Sequence, residues 1–317
     1  MGLREERVAV LAGGDSPEAE VSRSSAGQVA DALRARYRHV ELIELDDGLT
    51  AALGDFAPAV VFPVLHGPPG EDGTVQGYLE MLGLPYVGTG VRGSALGMDK
   101  HVAKVLFRAA GLPVLEDVVL PPEMAIEEAV ALVERRLGSR VAIKPTRQGS
   151  SLGITPLPNG GDLREPILAA RRFGDPVLVE PFVLGRELTV GVLDLEGAAP
   201  VPWPVIETVT PSDEWYDFRN KYTAGRSEHI VPASLSADAT RELQRIAVES
   251  HRALELRDLS RADFLVTDRE EIHLLEVNTM PGMTPISLYP DGGRAGGYDF
   301  ESLVDALVDS ALRRGKA

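Results

Sequence analysis

The chain has 317 residues, of which 44% are hydrophobic and 25% charged, a composition typical of a globular protein with two or three packed units. Its formal net charge of -16 opposes binding to nucleic acid phosphates and to anionic membranes, so a small-molecule substrate is favoured. The absence of cysteine excludes disulfides, thiolate nucleophiles and cysteine-ligated zinc.

The first hundred residues alternate short apolar runs with amphipathic segments. Residues 8–11 form an apolar run closed by a glycine pair, and a helical pattern starts at Pro17 with Ser16 as its N-cap. A second run at 59–65 ends in His66 and a glycine. This alternation predicts an open parallel sheet, whose ligands bind beyond the carboxyl ends of its strands. No apolar run is long enough for a signal-peptide core or a membrane span, so we expect a cytoplasmic protein.

The pattern changes after residue 100, where short β-rich runs bounded by glycine and proline predict antiparallel sheets. We predict helices at 100–110, 123–137, 237–256 and 300–313. We predict strands at 141–144, 176–181, 187–194, 200–208, 260–266 and 271–279. The polar connection at 209–233 is of the kind that often serves as an active-site lid.

The last two predicted strands carry the strongest local signal for chemistry. Period-2 alternation places Arg261 and Asp263 on one strand face, and Glu276 and Asn278 on one face of the partner strand. Three oxygen ligands beside a guanidinium suit a hard cation such as magnesium that also binds substrate phosphates. The alternatives are a solvated face, or a salt bridge between the arginine and a carboxylate.

A glycine-rich loop follows Lys144 and offers backbone amides and hydroxyls to phosphate oxygens. It is not a P-loop, and a plain surface loop is the alternative. The loop also matches G-x-S-x-G, with Ser151 in the nucleophile position of a hydrolase. We reject that interpretation, because residues 154–158 contain two prolines and predict an extended segment where a nucleophile elbow needs a helix.

Two polar residues lie where ligands of the first sheet are expected. Glu18 could hold a substrate ammonium group, although a carboxylate at a helix N-terminus is more often a partner of the helix dipole. His66 could contact substrate or be an ordinary loop histidine. A nicotinamide site is not indicated, because the first glycine turn lacks the G-x-G-x-x-G motif.

Taken together, ordered motifs along nearly the whole chain resemble the D-alanine:D-alanine ligase family of the ATP-grasp superfamily. They are LAGG at 11–14, HG at 66–67, GEDGTVQG at 70–77, LPYVG at 84–88, MDK at 98–100, KP at 144–145, GSS at 149–151, KY at 221–222 and EVNTMPGMTPIS at 276–287. Each motif is weak alone, but so many in one order are a strong signal.

The resemblance implies an ATP-grasp fold of α/β and α+β units with an N-terminal parallel-sheet domain. The expected domains are an N-terminal substrate domain at 1–100, a central ATP-grasp subdomain at 101–187 and a C-terminal catalytic domain at 188–317. The implied reaction joins two D-alanine molecules with ATP through an acyl phosphate, releases ADP and phosphate, and supplies a peptidoglycan precursor. The implied cofactors are two magnesium ions, with manganese as a substitute, and the implied assembly is a homodimer.

The resemblance also assigns roles to individual residues. The implied ATP contacts are Lys100, Lys144, Ser151, Glu180, backbone at Val183, Glu187 and Lys221. The implied metal ligands are Asp263, Glu276 and Asn278. The implied catalytic groups are Glu18, Ser150, Tyr222, Arg261 and the Gly282 amide. The implied substrate contacts are Glu18 for the first D-alanine, together with His66, Ser287 and the Leu288 amide.

Two departures from the family pattern are Pro181, where lysine is frequent, and Pro68-Pro69, where an arginine is frequent. Neither removes a group that the chemistry needs, since Pro181 keeps the carbonyl expected to face the adenine amine. The alternatives within the class join D-alanine to D-lactate or D-serine, and Tyr222 argues against the lactate form. A non-catalytic nucleotide-binding homologue is a further alternative.

Overall fold

A parallel sheet near the N-terminus is the first of three sheets in the computed structural model, which describes residues 2–149, 151–210 and 227–315. Its strands are β1 (Arg4–Ala12), β2 (Tyr37–Glu44) and β3 (Val60–Pro63), in the order β2-β1-β3. The central strand β1 is fully buried from Val8 onward, which explains its continuous apolar sequence. The predicted parallel sheet is therefore confirmed.

The helices of this N-terminal unit are α1 (Ala19–Arg34), α2 (Leu49–Phe56), α3 (Thr74–Met81) and α4 (Val91–Met98). Helix α1 begins later than predicted, and Ser16 is not its N-cap. The Ser16 hydroxyl accepts a hydrogen bond from the Glu18 amide at 3.2 Å and donates one to the His66 carbonyl at 2.7 Å. This local turn precedes the helix and ties its start to the segment after β3.

The second sheet is antiparallel, in the order β4-β7-β5-β6. Its strands are β4 (Val118–Leu120), β5 (Val141–Pro145), β6 (Thr155–Pro156) and β7 (Val177–Pro181). Its chain segment also contains α5 (Lys100–Ala109), α6 (Ile126–Leu137) and α7 (Arg164–Arg171), of which α7 was not predicted. Helix α6 begins three residues later than predicted, because Met124 closes a turn on Pro121. Strand β6 follows the glycine-rich loop, so the expected extended segment after Ser151 is present.

The third sheet is also antiparallel, in the order β11-β10-β8-β12-β13, with β9 paired to β8. Its strands are β8 (Arg186–Asp194), β9 (Val201–Pro202), β10 (Ile206–Val209), β11 (Glu228–Ile230), β12 (Asp258–Val266) and β13 (Ile272–Asn278). The single strand predicted at 200–208 is two strands, separated by the buried Trp203. The segment predicted to be irregular at 209–233 includes β11, which pairs with β10.

The last helices are α8 (Ala237–Ala253), α9 (Leu288–Ala295) and α10 (Phe300–Arg314). Leu303 and Leu307 of α10 are fully buried in one cluster with Val8 and Val60, so the C-terminal helix packs on the first sheet. In the described ranges, no helix is both long and apolar enough to cross a membrane.

A buried carboxylate connects the third sheet to the first unit. Asp258, at the start of β12, is fully buried and accepts hydrogen bonds from the Gly88 amide at 2.8 Å and the Ser310 hydroxyl at 2.9 Å. The Arg314 guanidinium binds both of its oxygens at 2.7 Å. The start of the strand that carries Arg261 and Asp263 is thereby fixed against the N-terminal unit.

Candidate active site

The predicted polar face of the last two strands is present at the junction of β12 and β13. Arg261 lies opposite Asn278, and Asp263 lies opposite Glu276. The Arg261 guanidinium donates to both Asp263 oxygens at 2.8 Å, and Asn278 Nδ2 donates to Oδ2 at 2.9 Å. Thr189 of β8 adds a hydrogen bond to Oδ1 at 2.6 Å. The structure thus brings together the four residues, and it also shows the arginine–carboxylate salt bridge that was the alternative interpretation.

The donor set on these strands fits a hard cation. Two carboxylates and one amide oxygen stand at paired positions of adjacent strands, and oxygen ligands of this kind suit magnesium. Across the described residues, no group of three or more histidine, aspartate or glutamate side chains is arranged to hold a metal. A cation on Asp263, Glu276 and Asn278 would therefore complete its coordination with water and phosphate oxygens, as magnesium at nucleotides usually does.

Lys100 connects this face to the glycine-rich loop. Its Nζ lies 3.1 Å from Glu276 Oε2 and donates to the Gln148 carbonyl at 2.7 Å. Lys100 is the first residue of α5, which Asp99 caps by accepting hydrogen bonds from two backbone amides. Arg147, in the loop, donates to the other oxygen of Asp99 at 2.9 Å. A phosphate bound between loop and sheet would meet a cation that is already held there.

A second group of charges lies between β5 and β7. Glu180 is 2% exposed, and its Oε2 is 2.5 Å from Lys144 Nζ. Its Oε1 contacts the Nζ of Lys104, a lysine that is 0% exposed. Burial alone would raise the pKa of Glu180, but the two lysines more than offset this and hold the pKa below its usual value. Glu180 is therefore an ionised carboxylate with a cation on each oxygen.

Three further implied ATP contacts are among the described residues. Val183 follows β7 and is half-buried, and Ser151 lies in the glycine-rich loop with a φ of 61°. Glu187 is two residues before Thr189 on β8, so both side chains are on the face of the sheet that carries Asp263.

Glu18 is enclosed where the first sheet meets the glycine-rich loop. It is 5% exposed and precedes α1, but its side chain makes no capping hydrogen bond to that helix. A Cβ atom added to Gly149 would lie 3.0 Å from Glu18 Oε2, and one added to Gly67 would lie 3.2 Å from the same atom. Glycine at both positions lets two loops approach one carboxylate.

The neighbours of Glu18 include a neutral histidine and a second carboxylate. Burial, and then the charge of Arg261, lower the pKa of His66 to about 4, so the imidazole is neutral at pH 7. Burial, and then the charge of Glu18, raise the pKa of Glu71 to about 8. Glu71 Oε2 accepts the Gly67 amide at 2.6 Å. The charges of Arg261 and Lys100 act on this cluster and oppose the rise in the pKa of Glu71, whereas the neutral imidazole adds no positive charge beside Glu18.

The segment between β13 and α9 holds three of the predicted contacts, Gly282, Ser287 and Leu288. Ser287 precedes α9 and its hydroxyl lies 2.8 Å from Thr284 Oγ1. A Cβ atom on Gly282 would lie 3.1 Å from the same hydroxyl, so this backbone passes close to it. Leu288 is the first residue of α9, where backbone amides offer an anion-binding site.

Two protein-family models match this chain. The model described as "D-ala D-ala ligase C-terminus" matches residues 106–309, and the model "D-ala D-ala ligase N-terminus" matches residues 50–89. The chain belongs to the D-alanine–D-alanine ligase family.

Relatives of this family are similar along their whole length. The D-alanine–D-alanine ligase of Halalkalibacterium halodurans is 41% identical over 309 residues, which cover 97% of this chain and 100% of the relative. The D-alanine–D-alanine ligase of Parvibaculum lavamentivorans is 42% identical, with 96% of this chain and 97% of the relative covered.

Solved structures of the family have the same fold. The D-alanine–D-alanine ligase from Coxiella burnetii gives a TM-score of 0.82 at 28% identity, covering 98% of this chain and 94% of that one. The VanG D-Ala:D-Ser ligase from Enterococcus faecalis gives a TM-score of 0.81 at 30% identity, covering 97% of this chain and 100% of that one. The chain therefore has the ATP-grasp fold of the family, with an N-terminal parallel-sheet domain.

Three predicted site residues are not among the residues that the structure describes, and two residues of the charged clusters were not predicted. Ser150, Lys221 and Tyr222 are outside the described residues. Sequence reasoning assigned no role to Lys104 or Glu71. Lys104 had a signal, because it shares the buried face of α5 with Ala103 and Phe107, where a charged residue needs a partner.

Proposed function

We propose that this chain is an ATP-dependent ligase that joins two D-alanine molecules and releases ADP and phosphate. Full-length similarity to D-alanine–D-alanine ligases supports the assignment. The observation that carries the mechanism is the polar face of β12 and β13, where Asp263, Glu276 and Asn278 lie together with Lys100 beside them. A binding protein without chemistry would not need this whole set.

The first step is attack by the carboxylate of one D-alanine on the terminal phosphate of ATP. The negative charge on the transferring group must be neutralised, while the protein does little covalent work. Lys100, Lys144 and Lys221 supply positive charge to the phosphates. Magnesium held by Asp263, Glu276 and Asn278 would shield further phosphate charge and align the reacting oxygens.

In the second step the amine of another D-alanine attacks the acyl phosphate. A tetrahedral oxyanion forms, the bond between the acyl carbon and the phosphate oxygen then breaks, and the proton lost by the attacking nitrogen is taken up by the departing phosphate. Arg261 and the Gly282 amide stabilise that oxyanion as preplaced donors. Arg261 gives two of its five N–H groups to Asp263, so that carboxylate can orient the guanidinium while the same guanidinium donates to the acyl oxygen.

The two amino acids are held by different kinds of group, a carboxylate for the first and neutral hydrogen-bond donors for the second. Glu18 binds the ammonium group of the first D-alanine, with His66 beside it. The Ser287 hydroxyl and the Leu288 amide bind the carboxylate of the second. Ser150 and Tyr222 complete a hydrogen-bonded set with Glu18. Ser151, Val183 and Glu187 join Glu180 in holding the nucleotide.

We extend the proposal to the cellular setting and the assembly. Two magnesium ions, with manganese as a substitute, would act in a cytoplasmic homodimer that makes a peptidoglycan precursor. The domain division at residues 100 and 187 is part of the same proposal. Each of the three sheets lies within one of these ranges, apart from the long strand β8 that starts at Arg186.

A D-alanine:D-serine ligase is the second candidate, because the VanG D-Ala:D-Ser ligase is as similar in structure as the D-alanine–D-alanine ligase from Coxiella burnetii. Turnover with ATP and magnesium should be measured in parallel with D-alanine alone, D-alanine plus D-serine, and D-alanine plus D-lactate. We expect phosphate and D-alanyl-D-alanine from D-alanine alone, with products identified by mass spectrometry. Phosphate release that requires D-serine or D-lactate would overturn the assignment, and no release under any condition would favour a non-catalytic homologue.

A further inference from the structure

Lys104 is a buried cation that the proposed mechanism does not use. It lies one helical turn after Lys100 in α5 and is 0% exposed. Its Nζ contacts Glu180 Oε1 and lies 3.4 Å from Asp117 Oδ1. Burial lowers the pKa of Lys104 to about 8, against the opposing charge of Glu180. A charge this deep is costly unless it is paired, so its two carboxylate neighbours are needed to keep it ionised.

The two lysines that share Glu180 have different surroundings. Lys144 is 7% exposed and ends β5, where the glycine-rich loop begins. Lys104 is enclosed, and its second partner Asp117 is held in turn by Arg108. Lys144 can therefore exchange Glu180 for another anion at the loop, whereas Lys104 is fixed from two sides.

The balance of charge supports such an exchange. Glu180 and Asp117 face Lys104, Lys144 and Arg108, which gives two carboxylates and three cations. If Lys144 turns to a phosphate, two carboxylates and two cations remain, and the pair Lys104–Glu180 stays intact. If Lys104 were absent, Lys144 would be the remaining cation in contact with Glu180. Its departure would leave a buried carboxylate without a contacting cation, which is strongly unfavourable.

Resting on the proposed ATP-dependent reaction, we infer that Lys104 is a positioning residue for nucleotide recognition. It holds Glu180 in place and ionised while Lys144 moves to the phosphates, and so leaves Glu180 Oε2 as an acceptor. An ionised acceptor binds the exocyclic amino group of adenine and repels the carbonyl oxygen that guanine has at the same position. Lys104 would therefore link phosphate binding to the choice of base.

The direct test is binding of Mg·ATP and Mg·GTP, measured by calorimetry without D-alanine. Lys104→Met should weaken Mg·ATP binding by about one hundred-fold, because phosphate would have to take Lys144 from a carboxylate with no other cation. Turnover at saturating ATP should stay within about threefold of wild type, and the KM for D-alanine should be unchanged. Lys104→Arg keeps the charge and should bind ATP more tightly than Lys104→Met.

A double variant separates positioning from a merely structural role. In Lys104→Met/Glu180→Gln the buried carboxylate is gone, so Lys144 is available to the phosphates. Mg·ATP binding should recover by about tenfold or more relative to Lys104→Met, a non-additive result. The preference for Mg·ATP over Mg·GTP should be lost, since an amide can donate to the guanine carbonyl. Arg136→Ala is the matched control, because Arg136 is an exposed arginine that pairs with Glu116 in the same region. This variant should bind both nucleotides as the wild-type chain does.

Two results would overturn the inference. One is a Lys104→Met variant whose Mg·ATP affinity lies within about threefold of wild type. The other is a parallel loss of nucleotide binding, D-alanine use and thermal stability that the double variant does not reverse. The binding measurement does not depend on turnover. A wild-type chain that binds Mg·ATP but makes no dipeptide would contradict the proposed ligase activity, and the role of Lys104 in nucleotide binding could still be tested.

Discussion

The carboxylates at the two ends of the site are in opposite electrostatic environments. Glu180 has a lysine on each oxygen, and its pKa is held below the usual value. Burial, and then the charge of Glu18, raise the pKa of Glu71 to about 8, against the opposing charges of Arg261 and Lys100. The difference matches the ligands, because ATP brings negative charge to one end and an amino acid brings an ammonium group to the other. The same side-chain type thus serves opposite purposes according to its neighbours.

The largest effect of a substitution on activity is expected at the end of the site where the ATP phosphates are proposed to bind. Glu276→Gln should lower kcat by about a thousand-fold or more, because it removes a carboxylate from the proposed cation site and the partner of Lys100. The fold should remain intact by circular dichroism. Glu271→Gln, at an exposed position of the same hairpin, is the control and should keep full activity. Undiminished turnover in Glu276→Gln would remove the cation site from the mechanism.

A smaller and different effect is expected at the amino-acid end. Glu18→Gln should lower kcat/KM for D-alanine by about one hundred-fold, because the ammonium group loses an ionised partner. Binding of Mg·ATP in the absence of D-alanine should change little. A large loss of Mg·ATP affinity would contradict the proposal that nucleotide and amino acid bind at separate ends of the site. Glu20→Gln is the matched control, because Glu20 lies two residues further on in α1 and its side chain is 88% exposed.

The smallest effect concerns stability against pH at Glu71. Between its ordinary pKa of 4.5 and its raised pKa of about 8, this carboxyl is protonated in the folded chain and ionised in the unfolded one. Its contribution is therefore fully present below pH 4.5 and is lost as pH rises through 8. The Glu71→Gln variant has no titrating carboxyl at this position and does not lose this stability as the pH rises. The Tm of the variant minus the Tm of wild type should therefore increase from pH 5 to pH 8.5, by roughly 3 °C.

The control for that measurement is Glu123→Gln, at an exposed position of the second unit, whose Tm difference from wild type should stay constant with pH. A flat difference for Glu71→Gln as well would mean that the carboxyl is already ionised at low pH. The proposed contrast with Glu180 would then fail, because the pKa of Glu71 would not be raised.

Local patterns in the sequence were enough to predict the polar face of β12 and β13. Alternation with period 2 placed Arg261 with Asp263 and Glu276 with Asn278, and the observed register pairs them across the two strands. The alternation of short apolar runs with amphipathic segments indicated the parallel sheet and the residues that follow its strands. These features depend on neighbours in the chain, which a single sequence displays directly.

The charge cluster around Glu180 depends on long-range packing and was not predictable in the same way. Lys144 meets Glu180 because β5 pairs with β7, and Lys104 meets it because α5 packs there. Helix α7 was missed for a different reason, since its eight residues are too few to show a helical periodicity. Assigning roles to Lys144 and Glu180 required the family resemblance, and Lys104 required the structure.

The most direct test of the central claim is a crystal structure with Mn²⁺ and a non-hydrolysable ATP analogue, with the metal located by anomalous scattering. Manganese density between the phosphates and the side chains of Asp263, Glu276 and Asn278, with Lys144 turned from Glu180 to a phosphate, is the predicted result. Nucleotide bound with those three side chains directed elsewhere, and no metal between them and the phosphates, would contradict it.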